Sequence, residues 1–221
     1  MSPLARFWDS SIGKKIVMAV TGIIGIAYVV LHMIGNLQIF QGAERLNAYR
    51  HLLHGPLNEL LWLARVILIV ALVLHVIAAW QLTRRDRAAR PVGYAERVPQ
   101  VSTLASRTLR WGGVLLLVFI VFHILHFTTG TIRPAGVYDE NDLYGNAIAS
   151  FHVAWVTAFY VLAMVALGLH LYHGAWSSVR TMGAAPLSAH PLRRRVALVV
   201  AIAVAAGFAL VPLAVFFGMV R

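Results

Sequence analysis

Cysteine is missing from the 221-residue chain, and acidic side chains are scarce: 8 Asp and Glu stand against 19 Lys and Arg. The missing thiols exclude disulfides, thiolate-bound zinc and any iron–sulfur cluster held by cysteines of this chain. Charge of either sign is sparse, at 12% of residues where a globular protein carries roughly 25%. That scarcity excludes an ordinary soluble domain, so counting domains by length does not apply. Apolar residues fill the space instead: 60% of the chain is hydrophobic and the mean hydropathy is +0.75. The net charge of +11 does not point to nucleic acid, because the basic residues lie in short clusters between apolar runs. Such clusters set membrane topology and face anionic headgroups or an acidic partner.

A membrane-spanning helix needs about 20 apolar residues, and five segments qualify: 16–40, 60–82, 109–129, 151–176 and 196–220. Helices are required, since lipid offers an open backbone no partners. The basic stretch before the first run resembles a signal peptide, but the run of about 25 residues exceeds an h-region of 7–15, so a retained first span is expected. Trp62, Trp80, Trp111, Trp155 and Trp176 sit near span ends, as interfacial anchors do. Arg6, Lys14 and Lys15 precede the first span. Arg84, Arg85, Arg87, Arg90, Arg97, Arg107 and Arg110 crowd the second loop, and Arg180 and Arg193 to Arg195 the fourth. The first loop mixes Arg45 and Arg50 with Glu44, and the third sets Arg133 against Asp139, Glu140 and Asp142. The positive-inside rule then predicts a single all-α integral membrane domain over 1–221, with a cytoplasmic N-terminus and cytoplasmic second and fourth loops.

Six histidines fall within the expected spans: His32, His75, His123, His126, His170 and His173. Each needs a partner, since polar groups at membrane depth are costly, and interhelical hydrogen bonding alone can supply one. Depth separates them further. His32 and His123 lie in the outer halves of outward-running spans, His75 and His170 in the inner halves of inward-running ones. The result is two layers of two, separated by very roughly 10–15 Å at 1.5 Å per residue. Two imidazoles facing each other across a bundle suit a six-coordinate haem iron, whereas zinc would want three or four protein ligands. Two haems stacked across a membrane make an electron path, since intermediate stations shorten each tunnelling hop. His123/His126 and His170/His173 are i,i+3 pairs sharing a helix face, so spacing alone admits either member. The second member of each lies nearer the surface, where it could bond a haem propionate or a quinone. Gly22, Gly25, Gly112, Gly113, Gly168 and Gly174 thin the helices for a flat ring or for another helix. Arg65, within span 2 and level with the His32/His123 layer, fits a snorkelling side chain or a propionate partner of the outer haem.

The stretches "SSIGKKIVMAVTGIIGIAYVVLHMIGNLQIFQGAERLNAYRHLLHGP" and "GLHLYHGAWSSV" resemble the five-helix, two-haem cytochrome b anchor of bacterial succinate dehydrogenase and fumarate reductase. The resemblance runs over the whole chain, and the "GAERLNAY" loop and the H-x-x-x-G-x-W-S pattern from His170 to Ser177 are its most specific parts. It implies that His32 and His123 hold the outer haem b and that His75 and His170 hold the inner one. It also implies a flavoprotein and an iron–sulfur subunit docked on the basic cytoplasmic face, a menaquinone or ubiquinone as electron acceptor, and a bacterial inner-membrane location. Some fumarate reductases of the family carry a glutamate in the fourth span that helps protons cross. Here "AMVALGLHLYH" has no carboxylate. Glu44, Arg45, Tyr49, His51, His54 and His126 could exchange protons with a quinone or be ordinary loop residues. A cytochrome b subunit of a formate dehydrogenase, nitrate reductase or hydrogenase and a haem-free anchor are the competing readings, and the complex could form a higher oligomer.

Overall fold

A backbone surrounded by apolar side chains has no hydrogen-bond partner except itself, and every regular element among the described residues is a helix. The computed structural model describes residues 2–89, 104–183 and 190–221, so Arg90 and Arg97 of the basic second loop lie outside the described residues. The helices are α1 (Pro3–Asp9), α2 (Ser11–Asn36), α3 (Ala43–His54), α4 (Asn58–Ala88), α5 (Leu104–His123), α6 (Leu143–Phe151), α7 (Ala154–Thr181) and α8 (His190–Phe216). A 3₁₀ turn, Leu37–Gln41, prolongs α2, and a π-helical turn, Ile124–Thr128, prolongs α5. Five stretches are long and apolar enough to cross a membrane: Ser11–Gln41, Asn58–Ala88, Leu104–Thr128, Ala154–Thr181 and Pro191–Phe216.

Their ends differ from the hydropathy boundaries for local reasons. α2 starts five residues before Ile16 because the Ser10 hydroxyl caps it, accepting from the Gly13 N–H at 2.8 Å. Gly13 also has to be glycine, since a Cβ there would stand 1.9 Å from the Phe7 carbonyl oxygen where α1 folds back. The fourth span begins at Ala154, not Phe151, because the chain breaks at Val153, which is extended; the Thr157 hydroxyl ties the break by donating to the Phe151 carbonyl at 2.6 Å. α8 stops at Phe216, and Gly218 leaves it with a φ of +71°.

Packing follows a zigzag. α2 packs on α4 and α7, α5 packs on α7, and α8 covers α7 and part of α2. α2 does not pack along α5, nor α4 along α7, so a gap separates each of these pairs. α7 is the central helix, with Val156 and Ala163 wholly buried, whereas α4 leaves Leu63, Ile69 and Val73 exposed to the surroundings. At the end formed by α3 and α6, Gly35 lets the Tyr49 ring lie where a Cβ would be, within 2.8 Å of its Cε1.

The same end is clasped by polar groups. Asp142 caps α6 by accepting from the Gly145 N–H at 2.9 Å and from the Asn47 amide of α3 at 2.8 Å, while the Asn47 oxygen accepts from Tyr144 N at 3.1 Å. The Gly145 N–H, and then the Asn47 amide, hold the Asp142 carboxyl below its ordinary value. Replacing Asp142 by Ala is expected to cost about 1 kcal/mol, at the modest end for a cap because water shares the carboxylate. A depressed folded-state pKa means that the contribution is full above the ordinary 3.8 and fades as acid protonates the folded carboxyl. Thermal unfolding in detergent across the acid range checks this. The gap between wild type and Asp142→Ala should close with acid, and a gap constant at every pH would show that the charge is not involved.

Candidate functional site

The two helix gaps are bridged by imidazoles. Across the first, His32 of α2 meets His123 of α5 with ring centroids 5.8 Å apart and planes at 79°. Across the second, His75 of α4 meets His170 of α7 at 6.2 Å and 55°. An iron bound by one imidazole on each side at about 2 Å sets the ring centroids about 6 Å apart, with any angle between planes that both contain the metal–nitrogen axis. The residues present therefore fit a six-coordinate haem iron in each gap. Thr21, in contact with His75, lies eleven residues before His32 on α2. The two pairs are thus about 16 Å apart along that helix.

Hydrogen bonds determine which nitrogen each ring presents. The Thr21 hydroxyl donates to the Val17 carbonyl at 2.7 Å and sits 3.0 Å from His75 Nδ1. Its one hydrogen is committed to the carbonyl, so His75 Nδ1 is the donor and its Nε2 keeps a free lone pair. A second ring nitrogen held in this way is how ligating histidines are oriented. At the other pair the Tyr160 hydroxyl lies 3.2 Å from His123 Nδ1 and 3.1 Å from His126 Nδ1. His126 Nε2 bonds Ser150 Oγ at 2.8 Å. Both nitrogens of His126 are thus engaged, while His123 keeps Nε2 free and is the member facing His32.

A phenol can accept at its oxygen and donate its one hydrogen, so the chain His123–Tyr160–His126–Ser150 can run in one continuous sense. When His123 gives its Nε2 lone pair to a ligand, its Nδ1–H donates to Tyr160, Tyr160 donates to His126 Nδ1, and His126 Nε2–H donates to Ser150. Phe119, Phe127 and Phe151 ring the phenol edge-on or tilted at 4.9, 6.0 and 5.1 Å, which keeps water out. His32 makes no hydrogen bond within the described structure; it stacks on Tyr28 at 5.4 Å and touches Phe208 of α8 at 5.7 Å. His170 Nδ1 is buried without a partner. An apolar-walled cavity of about 170 Å³ lies against that ring, between Leu109, Gly112, Leu162 and Leu169. The Gly113 Cα stands close enough that an added Cβ would lie 4.0 Å from His170 Cε1.

The remaining expected residues divide. His173 packs on the Trp176 ring at 5.4 Å instead of facing a gap. Arg65 stacks over Trp62 at 4.9 Å and reaches toward His54 Nε2 at 3.5 Å, so Arg65 and His54 come together. Tyr49 lies on Gly35 beside them, and it and Arg65 are both electrostatic neighbours of Tyr28. Glu44 is exposed on the first turn of α3, and no hydrogen bond or ion pair ties it among the described residues. No three His, Asp or Glu side chains gather as a metal-holding group among the described residues. Thr21, Tyr28, Tyr160 and Ser150 escaped the sequence reading. Depth could have found one of them: Tyr160 lies ten residues before His170, and so at the level of the other pair.

Replacing Thr21 by Val is expected to release the His75 tautomer. Imidazole nitrogen NMR of selectively labelled protein should then show an averaged His75 signal, with His123 unmoved. An unchanged His75 spectrum would show that the hydroxyl does not set the tautomer. Family models, characterised proteins and solved structures were all compared with this chain, and none matches it.

Proposed function

We propose that the chain is a membrane-anchoring cytochrome b subunit that holds two b-type haems and serves a bacterial succinate:quinone oxidoreductase. His32 and His123 would be the axial ligands of one haem, and His75 and His170 those of the other. One observation carries the reading: one imidazole pair lies between α2 and α5 at 5.8 Å and another between α4 and α7 at 6.2 Å, and in each pair one ring has its Nδ1 within hydrogen-bond distance of a hydroxyl. Each bound haem supplies a one-electron iron couple.

The chain's own residues then do the rest. The four imidazoles would hold the two haems at levels about 16 Å apart along α2, a spacing that suits electron transfer between them. Thr21 and Tyr160 hold the ligand tautomers, and the phenylalanines around Tyr160 exclude water. The basic second and fourth loops place the N-terminus on the cytoplasmic side, where an iron–sulfur protein and its flavoprotein partner would dock. The His32/His123 pair is then outermost. His54 would hand a proton to a reduced quinone oxygen there, with Tyr49 near it and the Arg65 guanidinium beside it as a hydrogen-bonding cation.

A reduced-minus-oxidised spectrum with a haem count per chain tests this on the intact complex. Wild type should give two haems. His32→Ala and His75→Ala should each lose one, and His126→Ala should keep both. No haem in a complex that still reduces quinone would leave the chain a plain anchor. Co-purifying formate dehydrogenase, nitrate reductase or hydrogenase subunits would move it to another enzyme. Arg65→Gln is expected to shift one of the two haem potentials by roughly 20–60 mV, about 0.5–1.4 kcal/mol for one electron. A redox titration showing equal shifts, or none, would remove Arg65 from the outer haem.

A further inference from the structure

Lys14 is 1% exposed. Its ammonium meets only the Trp8 carbonyl and the Trp8 ring, 5.1 Å from its centroid. No carboxylate among the described residues pairs with it: Asp9 is taken by Arg85 at 3.7 Å and Asp86 by Arg110 at 3.5 Å. A cation buried without an anion is costly at a membrane boundary, and such groups are found paired. Two further groups beside it are also incomplete. Arg84 lies over the Trp80 ring at 5.0 Å with no ion pair among the described residues, and the side-chain oxygen of Gln81 is buried with no donor.

All three line one cavity of about 450 Å³ at the α1 end, whose other walls include Trp8, Trp80 and Arg85. With Asp9 among its walls, the cavity still carries two net positive charges. The chemistry it lacks is an anion that also carries a hydroxyl, the first for Lys14 and Arg84 and the second for Gln81. Its place points to lipid. Indoles such as Trp80, which is 57% exposed, mark headgroup depth. From Trp80 an exposed apolar stripe, Val76, Val73 and Ile69, continues along α4 at helical spacing away from the cavity.

We propose that this cavity binds the headgroup of an anionic phospholipid with a free hydroxyl, of the phosphatidylglycerol type. Its phosphodiester would pair with Lys14 and Arg84, its hydroxyl would donate to Gln81, and an acyl chain would lie along the α4 stripe. Basic pockets between spans are known means of holding acidic headgroups. A zwitterionic headgroup is a poorer match, because its own cation would face Arg85. The site involves none of the four paired histidines, so it stands whether or not the chain binds haem.

The test is native mass spectrometry of the full chain, with any subunits that accompany it, after reconstitution in phosphatidylcholine nanodiscs containing a minor fraction of phosphatidylglycerol. Wild type should retain phosphatidylglycerol about tenfold above its share of the bilayer. Lys14→Gln and Arg84→Gln should each bring the enrichment to within about twofold of that share, and Lys14→Arg should keep most of it. Lys15→Gln, an equal charge change at the exposed neighbouring residue, should leave it intact. Because Arg84 is on the surface, its variant reports even if Lys14→Gln fails to fold. Equal loss in Lys15→Gln would mean diffuse surface charge, and no loss in any variant would mean no site. Haem content that falls in Lys14→Gln while lipid enrichment stays would assign the cavity to an acidic group of a cofactor. Each of these three results overturns the proposal.

Discussion

A buried imidazole has two nitrogens, and in a low-dielectric interior each must find a partner. This constraint organises the centre of the molecule. Thr21 spends its hydrogen on a carbonyl of its own helix and so obliges His75 to donate from Nδ1. Tyr160 stands between two Nδ1 atoms, and its hydroxyl can accept from one and donate to the other. Each of these rings also lies against the opposite histidine, His170 for His75 and His32 for His123. The zigzag packing, with its two unfilled gaps, and the phenylalanines around Tyr160 are the scaffold on which this division of roles rests.

The two pairs are differently supported. The His32/His123 pair is set among rings, with Tyr28 stacked on one side and Phe208 of the last helix behind it. Its Tyr160 link continues through His126 to Ser150, just before the break between α6 and α7. The His75/His170 pair has a single hydroxyl on one member and an unpartnered nitrogen on the other. Two chemically alike pairs with unlike surroundings will differ in imidazole basicity, and a metal bound at each would differ in potential accordingly.

The large features of the fold were legible in the residues because the membrane allows few alternatives. Long apolar runs must be helices, and five runs gave five long helices, with errors only at their ends. Two of those errors came from a hydroxyl cap and a hydroxyl tie, Ser10 at α2 and Thr157 at the α7 break, which hydropathy does not weigh. The facing of His32 with His123 and of His75 with His170 was readable from depth. The choice between His123 and His126 was not, because residues three apart share a helix face. It turns on Tyr160 and Ser150, side chains more than twenty residues away in sequence. Arg65 was read as level with the outer pair, but its approach to His54 depends on how α3 folds over the end of the bundle.

The histidine pairs also have a topological consequence. Each joins an early span to a late one, across roughly ninety residues of intervening chain. A ligand gripped from both sides would close that long loop and remove much of the freedom of the unassembled chain, with a loop-closure entropy that grows slowly with length. In a secreted protein this is the work of a disulfide. This chain has no cysteine, and its two coordinate staples would be reversible ones, the first able to form once the third span has joined the first and the second only once the fourth has joined the second.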